Sequence, residues 1–345
     1  MNVANASSSS SSGATCELFL LENFRLQCGE TLREARLAYK TYGTLNRDRS
    51  NVVLYPTSYG AHHSDIDWIV GPERILDSSR YFVVIPNMFG NGLSTSPSNT
   101  EGHCTPPFSH VDNVTAQRRM LNDVFGIRRL ALAYGWSMGA QQALHWGALF
   151  PDAVERIVAV CGTAKTTPHN WVFLDGLRAI LMADDAWAGD HFTHPPQAAL
   201  KAFGRVYAGW ALSQAFYREQ IHLQLGYESL EDFLVRDWEA SFLRRDAGNL
   251  LSMIDTWKRS DISNNATFDG DIGLALRSIA AKTYIIPGQT DLYFTSEDCQ
   301  REAQQIPRAT FSPIPSIWGH RAGNPAKNPA DQTFLRSAVA EILSA

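Results

Sequence analysis

Short apolar runs alternate with helix-like stretches along much of the chain. Several runs are nearly continuous in apolar residues, which is typical of strands buried on both faces of a parallel sheet. These runs cover residues 51–55, 81–85, 130–134, 154–160, 282–286 and 309–314. Apolar residues at helical spacing occupy the intervals 111–125, 140–150, about 297–306 and 331–343. The alternation predicts a mostly parallel, doubly wound α/β sheet.

Two parts of the chain depart from this alternation. Runs at 18–21, 24–26 and 35–42 predict an antiparallel flank at the start of the sheet. From about 162 to 273 the pattern is helical and rich in large aromatic residues. We expect this insertion to cover the carboxyl ends of the strands as a lid, the alternative being that its aromatics only fill its own core.

The predicted domains follow from these patterns. Residues 1–15 form a serine-rich tail that we expect to be disordered, and 16–162 together with 274–345 form the α/β core. Residues 163–273 form the helical lid insertion. Ser296 is the expected N-cap of the helix at about 297–306.

Composition narrows the range of partners. The 345 residues carry a net charge of -5, without a basic face or an apolar run of about 18 residues, so neither nucleic acid nor a membrane is expected. The five scattered cysteines predict reduced thiols in a cytoplasmic protein. No cofactor is expected, because Gly90-Asn91-Gly92 lacks the third glycine of a dinucleotide fingerprint. No metal is expected either, because His191-x-x-His194 lacks the glutamate of a metalloprotease pattern.

The stretch Gly135-Trp136-Ser137-Met138-Gly139 lies between an apolar run and a helix-like run. Gly-x-Ser-x-Gly alone is a weak signal, but strand, tight turn and helix in succession are the context of a nucleophile elbow. There the serine is held on a strained turn with its hydroxyl exposed. An ordinary strand-to-helix turn is the competing interpretation.

A nucleophilic serine needs a base that is oriented by a third group. For this type of sheet the order is Ser, Asp or Glu, then His. Asp291 and His320 fit, because each follows a predicted strand at the same sheet edge as Ser137. Asp261 is the rival acid, and the nine other histidines have no comparable placement. The backbone N–H groups of Met138 and Tyr59 are the expected oxyanion hole.

With these residues in place, the chain from about residue 20 resembles the homoserine O-acetyltransferase-like family of the α/β-hydrolase superfamily. The resemblance rests on the elbow, residues 81–87 with the glycine-rich loop that follows, Asp246-Ala247-Gly248-Asn249, and Asp291 with Gly319-His320. It implies an α/β-hydrolase fold in which an acyl group passes to Ser137 and then to an alcohol, usually homoserine, or to water. It also implies a possible homodimer through the lid.

The differences from that family fall where homoserine would be recognised. Arg321 stands where the transferases have an aspartate after the histidine. Gly204 and Ala211 fall near the places of the lid arginine and tyrosine that the resemblance implies, with Arg205 and Trp210 one residue away as the alternatives. Residues 56–59 also differ from the transferase sequence. We therefore predict a serine hydrolase of small acyl esters, with acyl-CoA-dependent homoserine O-acetylation as the alternative. A catalytically silent ligand-binding protein on the same fold is the third possibility.

Overall fold

The computed structural model describes residues 16–344, so the predicted serine-rich tail, 1–15, lies outside the described residues. Eight strands are formed: β1 (Glu17–Arg25), β2 (Thr31–Tyr42), β3 (Val52–Leu54), β4 (Phe82–Pro86), β5 (Leu132–Trp136), β6 (Arg156–Val160), β7 (Lys282–Ile286) and β8 (Ala309–Phe311).

Helices separate most of the strands. They are α1 (His63–Ile66), α2 (His110–Phe125), α3 (Met138–Leu149), α4 (Pro168–Met182), α5 (Gln197–Ala211), α6 (Gln214–Arg218), α7 (Ile221–Gln224), α8 (Leu230–Phe233), α9 (Ala240–Leu243), α10 (Ala247–Lys258), α11 (Ile272–Arg277), α12 (Ser296–Ala303) and α13 (Pro329–Ser344). A π-helix spans Leu234–Glu239, and single 3-10 turns occur at Asp67–Ile69, Pro97–Asn99, Glu101–His103, Pro151–Ala153 and Gly319–Gly323. None of the helices within 16–344 is both long and apolar enough to span a bilayer.

The strands form one sheet in the order β1-β2-β4-β3-β5-β6-β7-β8. Strands β1 and β2 pair antiparallel, as do β2 and β4, and every other pair is parallel. The predicted antiparallel flank and the mostly parallel doubly wound sheet are therefore confirmed. Strands β3 to β6 are short and almost entirely buried, with only Trp136 and Arg156 partly exposed, as expected for the centre of a parallel sheet.

Helices cover both faces of the sheet. One face packs against α2, α3, α11 and α12, with side chains such as Met120, Leu144 and Cys299 in the shared core. The other face packs against α1 and α13 through Ile66, Leu335 and Val339. Because both faces of the sheet are covered, the parallel strands need apolar residues on both sides, which explains their continuous apolar runs in the sequence.

Two local predictions were wrong. Residues 18–21 and 24–25 belong to the single strand β1, because both parts pair with β2, from Glu17 opposite Tyr39 to Arg25 opposite Thr31. Leu26 lies just after this strand. Thr295, rather than Ser296, caps α12: Thr295 has an extended backbone and its hydroxyl accepts from the N–H of Asp298. Ser296 is already the first helical residue.

Helices α4 to α10 lie between β6 and β7, where the sequence predicted the insertion. Their buried side chains form a cluster separate from the sheet's two cores, reaching from Phe173 to Trp257. The same cluster contains Met88, Met138, Tyr293 and Phe294. Because these four residues follow β4, β5 and β7, the insertion packs on the carboxyl ends of the strands.

Candidate active site

Ser137 lies in the turn between β5 and α3 with φ 60° and ψ -128°. A residue with a side chain is strained at this positive φ, by an amount on the order of 1 to 3 kcal/mol. The turn closes tightly: a Cβ on Gly135 would lie 2.1 Å from the carbonyl oxygen of Gly139, and one on Gly139 would lie 2.7 Å from that of Pro56. Only glycine fits at either position, which explains the spacing of the motif.

The loop after β3 lies directly against this turn. The Ser58 hydroxyl donates to the carbonyl oxygen of Trp136, which fixes residues 56–59 beside the start of α3. Within 16–344, neither the Met138 nor the Tyr59 backbone N–H donates to another protein group. Unpaired N–H groups on the residue after the serine and on the neighbouring loop are the kind of donors that an oxyanion hole requires.

Asp291 and His320 lie on loops that leave β7 and β8. The Nδ1 of His320 is 2.6 Å from Oδ2 of Asp291, and both side chains are buried, with 3% and 5% of each residue exposed. Oδ1 of Asp291 accepts hydrogen bonds from the backbone N–H groups of Tyr293 and Phe294, both at 3.1 Å. The carboxylate is thus fixed on both oxygens, and Nε2 of His320 is the nitrogen left to act.

Two side chains, Thr290 and Trp136, connect the elements of the site. The Thr290 hydroxyl donates to the carbonyl of Ser316 and accepts from the N–H of Gly319, which joins the Asp291 loop to the His320 loop. Trp136, inside the elbow motif, donates its ring N–H to the carbonyl oxygen of His320 at 3.3 Å. Its ring also packs 5.1 Å from that of His320. The histidine loop is therefore held against the serine turn.

The rival acid is occupied elsewhere. Asp261 forms an ion pair with Lys165 at 2.8 Å, and its carboxylate accepts from the Ser263 hydroxyl and N–H. Among the other histidines, His110 and His145 form a buried pair with ring centroids 5.2 Å apart. Burial lowers the pKa of His145 to about 4. Neither histidine contacts Asp291.

Sequence reasoning missed Cys161 and Tyr293. The Cys161 thiol is fully buried at the end of β6, and its sulfur, an Asp291 carboxylate oxygen and a His320 ring nitrogen all lie within 4.8 Å of one another. Burial, and next Asp291, raise the pKa of this thiol well above its usual value, so it stays protonated. The Tyr293 ring packs 4.5 Å from that of His320. The rule that selected Asp291, a residue just past a buried strand, could have found both.

Arg321, which follows the histidine, is not free. Its guanidinium pairs with Asp237 at 2.6 Å and lies over the Trp238 ring at 4.1 Å. Its charge is therefore largely neutralised, and the repulsion of an ammonium group that its position suggests is reduced. Because Asp237 is paired with Arg321, its carboxylate is not available to bind the ammonium group of a substrate.

The sequence and the fold are both similar to those of known proteins. Residues 51–316 match the family model of the alpha/beta hydrolase fold. The chain is 38% identical to an ethyl acetate hydrolase from Pseudomonas veronii, with 88% of each chain covered. The crystal structure of the acetyl esterase MekB superposes with a TM-score of 0.93 at 35% identity, covering 96% of this chain and 97% of that one. A homoserine O-acetyltransferase from Chloroherpeton thalassium is more distant, at 28% identity over 86% of this chain and 81% of its own.

Proposed function

The chain belongs to the alpha/beta hydrolase fold family, and from that premise we propose that it is a serine esterase that hydrolyses acetyl esters of short alcohols. The observation that carries the proposal is the buried Asp291–His320 pair at the edge of the sheet that bears the strained Ser137. The 38% identity to an ethyl acetate hydrolase supports the choice of substrate.

In the proposed mechanism, Oγ of Ser137 attacks the ester carbonyl while its proton passes to Nε2 of His320. The C–O bond to the alcohol breaks, and the alcohol oxygen takes that proton. Water then attacks the acyl carbon, gives a proton to His320, and the bond to Ser137 breaks as Oγ recovers it. Asp291 stabilises the charged imidazole throughout, and the N–H groups of Met138 and Tyr59 bind the oxyanion.

A small acyl group is favoured by the aromatic side chains beside the site. A continuous series of ring contacts is formed by Tyr59, Tyr207, Tyr293 and Trp257. Tyr59 and Tyr207 lie 6.0 Å apart, Tyr207 and Tyr293 6.3 Å, and Tyr293 and Trp257 5.6 Å. Since rings in a packed core have little room to move, we expect each longer acyl chain to be disfavoured about tenfold or more.

Three positions in the insertion argue against homoserine as acceptor. A Cβ on Gly204 would lie 2.9 Å from the carbonyl oxygen of Trp238, so an arginine cannot occupy this position. Arg205 pairs with Glu231 and Glu239. The Trp210 ring packs on Phe173 at 4.8 Å. None of these three positions therefore provides a free cation to bind the carboxylate of homoserine. Without such binding the acyl-enzyme would react with water.

The test compares donors and acceptors on the purified full-length chain. Ethyl acetate, ethyl butyrate and acetyl-CoA would each be supplied with and without homoserine, following acid, thiol and O-acetylhomoserine. We expect acetate release from ethyl acetate with little diversion by homoserine. Saturable O-acetylhomoserine formation that outpaces hydrolysis would establish the transferase instead. No turnover and no labelling by a fluorophosphonate would leave the silent binding protein.

The remaining proposals concern organisation. We treat residues 163–273 as a lid over the site and as the surface for a homodimer, because α4 and α5 expose Val172 and Val206 at 62% and 41%. A cytoplasmic location is supported by five unpaired cysteines, two of them exposed. Light scattering of the purified chain tests the dimer, and cell fractionation tests the location.

A further inference from the structure

The Tyr293 hydroxyl is a buried polar group beside the proposed catalytic histidine. Tyr293 is fully buried, and within residues 16–344 its oxygen has no hydrogen-bond partner of acceptable geometry. Its position is well defined, since its backbone N–H donates to Asp291 and its ring packs 4.5 Å from that of His320. A buried O–H without an acceptor costs stability, so phenylalanine would be the more stable choice here.

Tyr207, on α5, connects this hydroxyl to the other side of the site. Its ring stacks on Tyr59 with an interplanar angle of 3° and lies 6.3 Å from that of Tyr293. Tyr59 follows β3 and Tyr293 follows β7, so Tyr207 spans from the proposed oxyanion loop to the Asp291 loop.

The Tyr207 and Tyr293 hydroxyls have two O–H donors, and a hydrogen bond between them can use only one. Burial is the main cause that raises the pKa of both phenols, so both keep the O–H at neutral pH. In the described part of the chain, the Tyr293 hydroxyl interacts with that of Tyr207 and finds no carbonyl or third side chain as an acceptor. Even if one donates to the other, the second O–H is left without an acceptor. The pair therefore presents one donor toward a group that is not protein.

We propose that the Tyr207–Tyr293 hydroxyl pair binds the oxygen atom that leaves or attacks the acyl carbon. That atom is the alcohol oxygen of the ester during acylation and the oxygen of water during deacylation. Both occupy the same place, next to Nε2 of His320, because His320 gives a proton to the first and takes one from the second. The oxyanion is a different oxygen, the former carbonyl oxygen, which the proposed mechanism assigns to the N–H groups of Met138 and Tyr59. This inference rests on the proposed esterase function.

The bonds balance without any added reagent. In deacylation the oxygen of water bonds to the acyl carbon, its proton moves to His320, and the bond from that carbon to Oγ of Ser137 breaks. Oγ then takes the proton from His320. The tyrosine donates a hydrogen bond to the attacking oxygen and keeps its own proton, as its raised pKa requires.

Tyr293→Phe and Tyr207→Phe test the proposal, with Tyr217→Phe as the matched control. The Tyr217 hydroxyl also lies in the insertion but already donates to the carbonyl oxygen of Ala208 at 2.7 Å. With 4-nitrophenyl acetate the leaving phenolate needs little help, so we expect the acylation burst of the two site variants to stay within about twofold of wild type. Turnover after the burst, and kcat for ethyl acetate, should fall about fivefold to tenfold, as for one neutral hydrogen bond.

The outcomes separate the inference from its premise. A wild-type chain with neither burst nor turnover would refute the esterase function and this inference with it. A wild-type esterase whose two site variants keep full turnover would refute only the role of the hydroxyls. An equal fall in burst and turnover, or the same fall in Tyr217→Phe, would indicate a purely structural effect and also overturn it. If Tyr293→Phe fails to fold, Tyr207→Phe decides.

Discussion

Replacing Asp291 by asparagine should inactivate the protein without unfolding it. In the wild type, Oδ1 accepts from the N–H groups of Tyr293 and Phe294, and Oδ2 accepts from Nδ1 of His320. An asparagine must keep its oxygen toward the two N–H donors, so its NH₂ faces Nδ1. His320 then carries its proton on Nε2 and cannot accept one from Ser137.

A wrong tautomer of this kind costs about four orders of magnitude in kcat, or about 5 kcal/mol of transition-state stabilisation. The assay is kcat with 4-nitrophenyl acetate, together with thermal unfolding to verify the fold. Asp261→Asn is the matched control, since Asp261 pairs with Lys165, and we expect it to retain activity within about threefold. A folded Asp291→Asn variant that loses less than tenfold, or an equal loss in Asp261→Asn, would refute the assignment.

Four further predictions follow. Ser137→Ala should abolish turnover and labelling by a fluorophosphonate, and full activity in this variant would exclude the acyl-enzyme. Arg321→Asp should raise O-acetylhomoserine formation only slightly, since the other homoserine contacts are missing; a large gain would show that one residue controls the acceptor. Burial lowers the pKa of His145 in the folded chain to about 4. Between about pH 6.5 and pH 4 the unfolded chain therefore binds a proton on this histidine that the folded chain does not bind, so stability falls as the pH drops through this range. Urea unfolding at pH 7.5 and 4.5 should show wild type losing about 2 to 3 kcal/mol more than His145→Gln, and equal losses would count against this burial. Val172→Asp should shift the mass in solution from dimer to monomer if α4 is the interface, and an unchanged mass would exclude it.

Much of the architecture could be predicted because local rules agree with the global fold. The predicted strand at 282–286 matches β7 residue for residue, since a short apolar run bounded by turns has few other ways to bury itself. The break between 18–21 and 24–26 was predicted wrongly, because pairing with β2 overrides the polar residues between them.

Some residues of the candidate site could be predicted from the sequence and others could not. Ser137, Asp291 and His320 could be named because each stands at the end of a strand, and parallel strands bring those ends to one edge. Tyr207 could not be named. It lies on a helix, 86 residues before Tyr293, and no period or motif in the sequence indicates that the two rings meet.

The sequence by itself determined the sheet, the serine turn and the chain order of Ser137, Asp291 and His320, because these depend on local hydrophobic period, on glycines and on chain order. Only the tertiary structure decided which hydroxyls and carboxylates are occupied. Asp237 pairs with Arg321 and Asp261 pairs with Lys165, whereas within residues 16–344 the Tyr293 hydroxyl has no hydrogen-bond partner of acceptable geometry. The physical reason is that a hydrogen bond is set by distance and direction over about 3 Å, which the packing of distant segments controls.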